Sequence, residues 1–446
     1  MSPTLMAVIM LVVVIACILW NKIPMNFVMF VVPLVCMFGL GYNLGEVSGF
    51  IINQVNTVMA SAGYMLLFGL VYFSMLTETG MFEIIINKML SLLGNKMNVI
   101  VIFVMTSLIS CVAYLTASMS TSYLIVFPIM IPLFRKFKID RNYAFLICQT
   151  AISAMCWLPW GIGVVNSAMM AGVSPEELAS ASIPWGLCFI PAMILQWVYF
   201  AICHKKKEGT LGLPAVAAEV VETEKKEANP NARPQFFWVN LLVFVAVVVC
   251  LAYFKLPSYL VFIAACMVTA MINYPKDFGK IWNKAGLTFF NVLIMLIAIC
   301  FYLAVFNMSK MDPETQEILR PSMVSALAET LTTVFPAFLM KYMFLIFLLL
   351  VVPIIHFVPY QLYNTMYPLF ISVGAIFGMG SMAIIAPFVC NLGLATSVTP
   401  MNSATYVGCT LCDIEVDHFT NWGGVVMFFT NLLVVITALV TGVMRF

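Results

Sequence analysis

Apolar stretches of membrane-spanning length follow one another along almost the whole chain, from Leu5 to Val443. A helix needs about 20 apolar residues to cross the hydrocarbon core of a bilayer, so the 446 residues leave room for some ten to fourteen spans. Only 9% of the residues are charged, whereas soluble domains carry about 25%. This composition excludes a soluble globular protein, and the spread of the apolar runs excludes a single membrane anchor. The chain is predicted to be an all-α polytopic membrane protein.

One polar segment, 204–235, divides the chain into an N-terminal half, 1–203, and a C-terminal half, 236–446. It mixes basic and acidic residues with prolines and few aromatic residues, which is typical of a flexible linker. No basic region precedes the first apolar run, so a cleavable signal peptide is not expected. The full-length spans are predicted at 5–20, 24–41, 57–76, 142–172, 183–203, 236–254, 258–274, 286–307, 377–412 and 422–443.

Two further apolar regions, 98–134 and 341–376, are each broken near the middle by small polar residues. The first break is Thr116-Ala-Ser-Met-Ser-Thr-Ser122, and the second is Pro359-Tyr-Gln-Leu-Tyr-Asn364. Neither break contains a charged loop. Non-helical backbone at membrane depth is tolerated only where it is buried in protein or lines a cavity. Both regions are therefore predicted to be re-entrant hairpins whose tips meet inside the protein.

The two halves share an ordered set of sequence signals, which indicates an internal repeat. Pro128 and Pro159 are 31 residues apart, and Pro368 and Pro400 are 32 residues apart. The sequence Asn-Ser-Ala follows the later proline in each half, and an acidic turn and a Trp-Gly pair come after it. The halves correspond at an offset of 240–241 residues. Each half is predicted to contain three helices, a hairpin, an interrupted helix and a last helix.

The basic residues give this repeat an orientation. A hairpin returns to its own side of the membrane, so each half crosses five times and the second half is inverted relative to the first. With the linker in the cytoplasm, 16 of the 21 Lys and Arg residues face inward, as the positive-inside rule requires. Leaving the linker out, ten face inward and five outward. Both termini are then predicted outside the cell, with the first hairpin opening from the cytoplasm and the second from outside.

Paired hairpins with paired interrupted helices, at 142–172 and 377–412, are the pattern of a secondary transporter whose sites lie near the membrane midplane. The alternative is a pair of plain proline kinks. Carbonyls freed by Pro159 and Pro400 suit a small cation, and N–H groups at helix N-termini suit a carboxylate. The predicted substrate-binding residues are Ser118, Ser120, Thr121, Ser122, Gly161, Asn166, Ser167, Tyr360, Gln361, Asn364, Asn402, Ser403 and Thr405. The predicted coupling-ion residues are Thr116, Ser120, Pro159, Gly161, Gly163, Thr399, Pro400, Asn402 and His356, and neither a catalytic residue nor a metal centre is predicted.

No Lys, Arg, Asp or Glu lies at the two hairpin tips or at the two helix interruptions, although intramembrane charges commonly mark ion pathways. A bound anion must then be held by hydroxyls, amides, helix dipoles and a co-bound cation. His356 lies three residues before Pro359 and is either a proton carrier or a hydrogen-bonded structural residue. The acidic cluster after the second interrupted helix is interpreted as a solvated loop; it consists of Asp413, Glu415, Asp417 and His418. The CxxC pair, Cys409 and Cys412, is interpreted as two buried thiols rather than a metal or redox site.

These motifs resemble the citrate–divalent-metal/proton symporters, a family of the ion-transporter superfamily. Leu158-Pro-Trp-Gly161 is similar to the family's LPWGG segment, and Phe357-Val-Pro359 is similar to its FVP hairpin tip. Thr399-Pro400 with Ala404-Thr-Tyr406 is similar to the family's SPLVPSTY motif. Asp417-His418 is similar to its DH motif, and Ser120-Thr-Ser-Tyr123 to its TTTY motif. The resemblance implies a homodimer with a fixed scaffold and a moving transport domain that carries the site across the bilayer.

The chain departs from the family where three carboxylates are usual. Thr116 and Ser118 stand in place of the acidic residues of DGDG, and Gln361 stands in place of the aspartate that follows FVP. Because these carboxylates are natural partners of a metal or a proton, the departure leaves the transported species and the driving ion open between Na⁺, H⁺ and a divalent cation such as Mg²⁺ or Ca²⁺. Hydroxyls and amides at the tips resemble the sodium-coupled branch of the superfamily.

The expected function is secondary active transport of an organic anion, citrate or a related di- or tricarboxylate, in the cell membrane. No resident cofactor and no nucleic-acid partner are expected; the partners are the substrate, the lipid bilayer and a second copy of the chain. An intramembrane enzyme is disfavoured because three histidines without a membrane-embedded acid cannot build most catalytic sites. A channel would favour a polar stripe along several helices rather than two converging tips.

Overall fold

The computed structural model describes residues 1–20, 22–91, 98–212, 229, 231–254, 256–311, 317–400 and 402–444. These residues are mostly helical. One exception is an antiparallel ribbon of two strands, β1 (Lys310–Met311) and β2 (Ile318–Arg320). The fold is mostly helical, as predicted, and this short ribbon satisfies its backbone groups by pairing with itself.

The described part of the first half contains eleven helices. Tyr114–Thr116, which directly follows α6 in the middle of the first hairpin region, is a 3₁₀ turn, and Met59–Gly63 is a π-helical segment between the third and fourth helices. The helices are α1 (Pro3–Trp20), α2 (Met25–Gly39), α3 (Leu44–Val58), α4 (Tyr64–Glu78), α5 (Met81–Ser91), α6 (Val99–Ala113), α7 (Met119–Lys136), α8 (Arg141–Ala154), α9 (Ile162–Ala171), α10 (Pro175–Leu187) and α11 (Phe189–Glu208).

The described part of the second half contains twelve helices, several of them short. They are α12 (Phe237–Ala252), α13 (Ser258–Asn273), α14 (Phe278–Asn307), α15 (Met323–Val334), α16 (Ala337–Lys341), α17 (Met343–Leu349), α18 (Val351–Phe357), α19 (Tyr360–Asn364), α20 (Tyr367–Ile376), α21 (Ser381–Ser397), α22 (Ser403–Cys412) and α23 (Val416–Val440). Region 98–134 folds as two helices joined by a turn, whereas region 341–376 contains four short helices, α17 to α20. The predicted interruptions separate α8 from α9 and α21 from α22.

Two helices, α3 and α15, are missing from the predicted spans because each carries too many polar residues to be read as a span. Both have strong N-terminal caps. Asn43 and Glu46 form a capping box at α3, and the Ser322 hydroxyl accepts from the backbone N–H of Ser325 at α15. Tertiary packing then holds them in place, with α3 against α14 and α15 against α1 and α20.

Four helical stretches in the described residues are long and apolar enough to cross a membrane: Val99–Thr116, Pro175–Glu208, Pro234–Leu251 and Val416–Val440. Shorter apolar helices of 10–17 residues occupy most of the other predicted spans. Helices α1, with 18 residues, and α14, with 30 residues, also reach the length of a membrane span. The outer face of α12 is almost wholly apolar and exposed, as expected of a surface that meets lipid.

The centre of the molecule is the contact between α8 and α21. Ten consecutive residues of α8, Ala144–Ser153, and fourteen of α21, Ile384–Ser397, are buried. Helices that are buried on every side lie at the core of a bundle. Gly393 permits the close approach, because a Cβ atom there would lie 2.9 Å from the Ser153 hydroxyl and 3.0 Å from the Cys156 sulfur.

The order of elements around this centre occurs twice. Met119 and Tyr360 begin α7 and α19, and Ile162 and Ser403 begin α9 and α22; both pairs are 241 positions apart. The contacts correspond as well, since α7 packs against α22 while α19 and α20 pack against α9. Likewise α4 packs against α13 and α2 packs against α14. Each half therefore contributes one hairpin-like segment that rests on the interrupted helix of the other half.

The linker predicted over 204–235 is shorter at both ends. Residues 204–208 belong to α11, which ends at Gly209 in the left-handed conformation. At the other end, the Asn231 side chain donates to the Glu78 carboxylate at 2.9 Å, and the Tyr274 hydroxyl donates to the Asn231 carbonyl at 2.8 Å. Burial alone would raise the pKa of Glu78, but hydrogen bonds from Lys284 and Asn231 outweigh it and hold that pKa below its ordinary value. Residues 213–228, which carry most of the predicted linker, lie outside the described residues.

Candidate functional site

The turn between α6 and α7, here called tip 1, is stabilised by its own hydroxyl groups. Thr116 donates to the Ala113 carbonyl at 2.9 Å, and the Ser118 hydroxyl caps α7 by accepting from the Thr121 N–H at 3.3 Å. The Thr121 hydroxyl donates to the Ser118 hydroxyl at 2.9 Å, and Ser122 donates to the Ser118 carbonyl at 2.7 Å. These predicted ligands therefore also hold the turn together.

The unwound stretch between α8 and α9, here called break 1, packs directly against tip 1. The Trp160 indole N–H donates to the Leu115 carbonyl at 3.0 Å. Gly161 precedes α9 and supplies no side-chain cap, so the first N–H groups of this helix are not satisfied by a side chain at that position. A Cβ atom at Gly161 would lie 3.0 Å from the Leu158 carbonyl and 3.9 Å from the Ala117 Cβ atom, so glycine is needed for this approach.

The last turn of α18 and the turn that leads into α19, together called tip 2 here, have a matching contact with break 2, the stretch between α21 and α22. The Thr399 hydroxyl donates to the Ile355 carbonyl at 2.7 Å. His356 Nδ1 lies 3.4 Å from the Val398 carbonyl oxygen. A carbonyl oxygen only accepts, so Nδ1 carries the proton in this hydrogen bond. His356 thus links tip 2 to break 2 instead of pointing away from the site.

Break 2 is stabilised by Asn402, which makes two bonds. Its side-chain oxygen accepts from the Ala404 N–H at 3.2 Å and caps α22, while its amide donates to the Thr396 carbonyl at 2.7 Å. The Thr405 hydroxyl also donates to the Thr396 carbonyl, at 3.4 Å. The side chains of two other predicted ligands, Gln361 and Ser403, lie outside the described residues.

Met119 and Gln149 join the two halves of the candidate site. The Gln149 amide donates to the Gly393 carbonyl at 2.7 Å, and its side-chain oxygen accepts from the Tyr123 hydroxyl. Met119 Sδ at tip 1 accepts weakly from Gln149 and from the Thr396 hydroxyl, at 3.9 and 3.6 Å. The sequence prediction missed Gln149 and Thr396. A glutamine inside an otherwise apolar helix was the available signal.

A second group of predicted residues lies between α9 and the α19–α20 segment. Asn166, Ser167, Asn364 and Tyr367 are each at most 3% exposed. The side-chain oxygen of each lacks a hydrogen-bond partner among the described residues. We call this set the α9–α20 oxygen cluster. Tyr367 was not predicted, although it stands three residues after Asn364, at the start of the next helix.

A cavity of about 520 Å³ borders this cluster. Ala168 and Pro368, the residues that follow Ser167 and Tyr367, both line it. Its polar lining comes partly from two residues of α3, Gln54 and Thr57. The sequence prediction did not include α3 in the site, because its polar residues gave no sign of where the helix would pack.

The acidic loop after α22 is exposed, as the sequence indicated. Asp413 is an ion-pair partner of Arg141 at the start of α8, and its side chain is 74% exposed. The hydrogen bond and positive charge of Arg141 lower the pKa of Asp413 below its ordinary value. Cys409 and Cys412 are free and buried. Within the described residues, no group of three His, Cys, Asp or Glu side chains is arranged to hold a metal ion.

The chain is similar to known transporters in sequence. Residues 1–202 match the model of the Na⁺/H⁺ antiporter family. A citrate transporter of Bacillus subtilis is 29% identical over 339 residues, which cover 74% of this chain and 72% of that protein. A Mg²⁺/citrate complex secondary transporter of the same organism is 26% identical over 270 residues, covering 60% of this chain and 61% of that protein.

Two solved structures share the fold. The YdaH transporter of Alcanivorax borkumensis has a TM-score of 0.57 at 13% identity, covering 99% of this chain and 98% of its own. The efflux pump MtrF of Neisseria gonorrhoeae has a TM-score of 0.56 at 15% identity, covering 88% of this chain and 83% of its own. The resemblance to citrate transporters is confirmed, and the chain is a multi-pass membrane transporter related to them, not an enzyme.

Proposed function

We propose that the chain is a secondary active transporter of citrate or a related di- or tricarboxylate, driven by a co-transported cation. The observation that carries this proposal is that each tip is hydrogen-bonded to the break of its own half, through Trp160 in the first half and Thr399 in the second. The proposed site therefore consists of two turns and two helix interruptions, with no charged side chain in any of them. The related citrate transporter and Mg²⁺/citrate transporter support a carboxylate as the substrate.

The start of α9 supplies the donors for a carboxylate. Its first N–H groups have no side-chain cap, and the helix dipole makes this end positive. Ser120 stands at the start of α7 and is half-buried, and no hydrogen bond of its hydroxyl is found within the described residues. Ser120 and the α9 terminus thus form the proposed first contacts of the anion, with the other predicted polar residues around them.

Charge balance argues for a co-transported cation. A di- or trivalent anion near no basic side chain carries a large desolvation penalty unless a cation accompanies it. The carbonyls released around Pro159 and Pro400 are oxygen ligands that a cation can use. These carbonyls, with the hydroxyls of Thr116 and Thr399, are the proposed ligands of a cation bound together with the substrate.

A second candidate is proton-coupled uptake of metal–citrate, and His356 favours it. This histidine contacts break 2 through Nδ1, so a change in its protonation would act on the proposed site directly. The first proposal is preferred because the family's acidic residues are replaced here by Thr116, Ser118 and Gln361. Three groups that could take up protons or hold a divalent metal are thereby lost.

The proposed transport cycle is of the elevator type. The duplicated order of elements, together with the charge distribution of the loops, supports an inverted repeat in which 98–134 and 341–376 are re-entrant hairpins. The moving part would comprise the two hairpins with the two interrupted helices, and the remaining helices would form a scaffold that pairs in a homodimer. The linker would lie in the cytoplasm and both termini outside.

Uptake of radiolabelled citrate into sealed vesicles tests the function and its driving ion. We expect concentrative uptake that rises with an inward Na⁺ gradient, or with added Mg²⁺, at constant pH. His356→Gln should retain this uptake, because glutamine preserves a donor to the Val398 carbonyl without a titratable group.

Two outcomes would contradict the proposal. Uptake that responds to a pH gradient alone and disappears in His356→Gln would establish the proton-coupled alternative. Carboxylate entry that never exceeds the external concentration under any imposed gradient would indicate a channel, and the transporter assignment would then be wrong.

A further inference from the structure

We propose that the α9–α20 oxygen cluster binds a monovalent cation, with Na⁺ as the cation that fits it. This ion site adds to the transport function proposed above and rests on that function only for its use as a driving force. It differs from the carbonyl groups at the breaks, because its ligands are the side chains of Asn166, Ser167, Asn364 and Tyr367.

The first argument is the unsatisfied chemistry of the cluster. Four side-chain oxygens on residues that are at least 97% buried have no hydrogen-bond partner among the described residues. Buried polar atoms are nearly always paired, because each lost its bonds to water on burial. Four such oxygens on packed elements therefore favour a bound ion or bound water there, and the two are distinguished by the test below.

The second argument is their arrangement. Asn166 and Ser167 are neighbours on α9, while Asn364 ends α19 and Tyr367 begins α20. Helix α9 packs against both α19 and α20. The Tyr367 hydroxyl faces the Ser167 hydroxyl across this contact, yet the pair does not meet the geometry of a hydrogen bond. The four residues thus lie on packed elements from both halves of the chain, with the Ser167 and Tyr367 hydroxyls close to each other.

The fold itself does not require these polar residues. The two halves of the chain correspond at an offset of 241 positions, so each cluster residue has a counterpart in the contact between α7 and α22. These counterparts are Val407 for Asn166, Gly408 for Ser167, Tyr123 for Asn364 and Val126 for Tyr367. There the Tyr123 hydroxyl is bonded to Gln149, and the other three positions offer no side-chain oxygen. The same packing is therefore built without a polar cluster in one place and with one in the other.

The chemistry of the cluster selects a monovalent cation. Two of the four unpaired atoms are amide oxygens, which only accept and therefore suit a cation, and the two hydroxyl oxygens can also act as cation ligands. Ca²⁺ and Mg²⁺ are normally bound with carboxylates, and the cluster contains none. Asn166 and Ser167 also lie in the middle of α9 rather than at its positive end, so the helix dipole does not oppose a cation there.

The adjoining cavity provides a route for the ion. The 520 Å³ space begins at the residues that follow Ser167 and Tyr367, and Gln54 and Asn307 line it with polar side chains. A cavity of this size and polarity holds many water molecules. A hydrated cation in this cavity would contact the residues next to Ser167 and Tyr367, although none of the four cluster residues lines the cavity itself.

Purified full-length protein in detergent provides the test, with no substrate present. We would measure the unfolding midpoint in NaCl and in choline chloride at equal ionic strength, together with binding of ²²Na⁺. The wild-type protein should unfold at a higher temperature in NaCl, because an ion that binds the folded state stabilises it. Ser167→Ala and Tyr367→Phe should each weaken the apparent Na⁺ affinity by about tenfold or more.

Tyr72→Phe is the matched control. The Tyr72 hydroxyl is as buried as that of Tyr367 and also lacks a partner among the described residues, but it lies on α4. This variant should keep the full response to Na⁺. In choline chloride, Ser167→Ala and Tyr367→Phe should unfold no earlier than wild type, since they remove atoms that are unsatisfied without the ion.

The proposal is overturned if wild type shows no Na⁺-dependent stabilisation, or if all variants respond to Na⁺ equally. The second result would mean that water fills the cluster and that Na⁺ binds elsewhere. Failure of citrate uptake does not affect this test, since a Na⁺ response that depends on Ser167 and Tyr367 can be observed without any transported anion. The two proposals can therefore fail separately.

Discussion

At the scale of single residues, the hydroxyl groups at tip 1 divide into two kinds. Thr116 and Ser122 donate to carbonyls of their own turn, and Ser118 caps α7. Ser120 has no hydrogen bond of this kind within the described residues. The sequence predicted that these residues would form a polar turn, but it could not separate the ones that stabilise the turn from the one that remains free, because this depends on the path of the backbone.

Ser120→Ala should reduce citrate uptake while leaving stability within about 0.5 kcal/mol of wild type. The structural reason is that no described hydrogen bond is lost, whereas a bound carboxylate would lose one hydroxyl, at a cost of about 1–3 kcal/mol. Uptake kinetics and thermal unfolding would be measured on the same preparation. Ser180→Ala is the control, because its hydroxyl donates to the Glu176 carbonyl on an exposed face of α10. Unchanged uptake in Ser120→Ala would remove this residue from the site.

Asn402 requires two variants, because it both caps α22 and lies in the proposed site. Asn402→Ala should lower stability by about 1 kcal/mol through loss of the cap and should also reduce uptake. Asn402→Asp retains the capping oxygen but loses the amide that donates to Thr396. If Asn402→Asp recovers both stability and uptake, the residue serves only as a cap.

At the scale of elements, the sequence predicted the positions of the two helix interruptions, at 142–172 and 377–412. Proline alone does not explain why the helices are interrupted there. Pro128 and Pro132 lie inside α7, and Pro387 lies inside α21, without ending either helix. The helices unwind near Pro159 and Pro400, where glycine or polar residues accompany the proline and a tip packs against the break. The sequence located these two breaks, but it could not reveal that tip 2 would bond to break 2 through His356 and Thr399.

The stability of the protein should be sensitive to the size of the side chain at position 393, where α8 and α21 cross in close contact. Gly393→Ala would place a Cβ atom 2.9 Å from the Ser153 hydroxyl and 3.2 Å from the Ser153 Cα atom, so the helices must separate. Overpacking of this kind typically costs about 1–3 kcal/mol, and thermal unfolding would measure it. Gly424→Ala is the control, since no atom lies within 4 Å of its added Cβ. Equal unfolding midpoints for both variants would show that the crossing is not tightly packed.

At the scale of the whole molecule, composition was sufficient to predict a helical polytopic membrane protein, and the offset between the halves was sufficient to predict a duplicated order of elements. The amphipathic helices α3 and α15 could not be predicted in the same way, because only one apolar face of each is buried, against α14 and α1, and their polar residues interrupt the apolar runs that mark a span. The sequence also did not predict that the C-terminal end of the linker would be hydrogen-bonded to the helices, for a related reason. Asn231 is held by Glu78 and Tyr274, which are distant in sequence.

Membrane orientation can be tested on the α10–α11 segment. Pro175–Glu208 spans 34 residues and is among the stretches able to cross a membrane. As a helix it would be about 50 Å long, which exceeds the roughly 30 Å of the hydrocarbon core. Its two ends carry exposed residues, Glu176 at one end and Lys206 at the other. The positive-inside rule places the lysine-rich end in the cytoplasm.

A cysteine at position 206 should therefore react with a membrane-impermeant maleimide only in inside-out vesicles, and a cysteine at position 176 only in right-side-out vesicles or intact cells. Lys205→Cys is the control for the cytoplasmic end, since it neighbours Lys206 and should label in the same way. The native cysteines are buried or half-buried, so labelling of the unmodified chain gives a low background to subtract. Labelling of Glu176→Cys and Lys206→Cys from the same face would mean that this segment does not cross the membrane. The inverted arrangement of the two halves would then lose its support, since it depends on an odd number of crossings in each half.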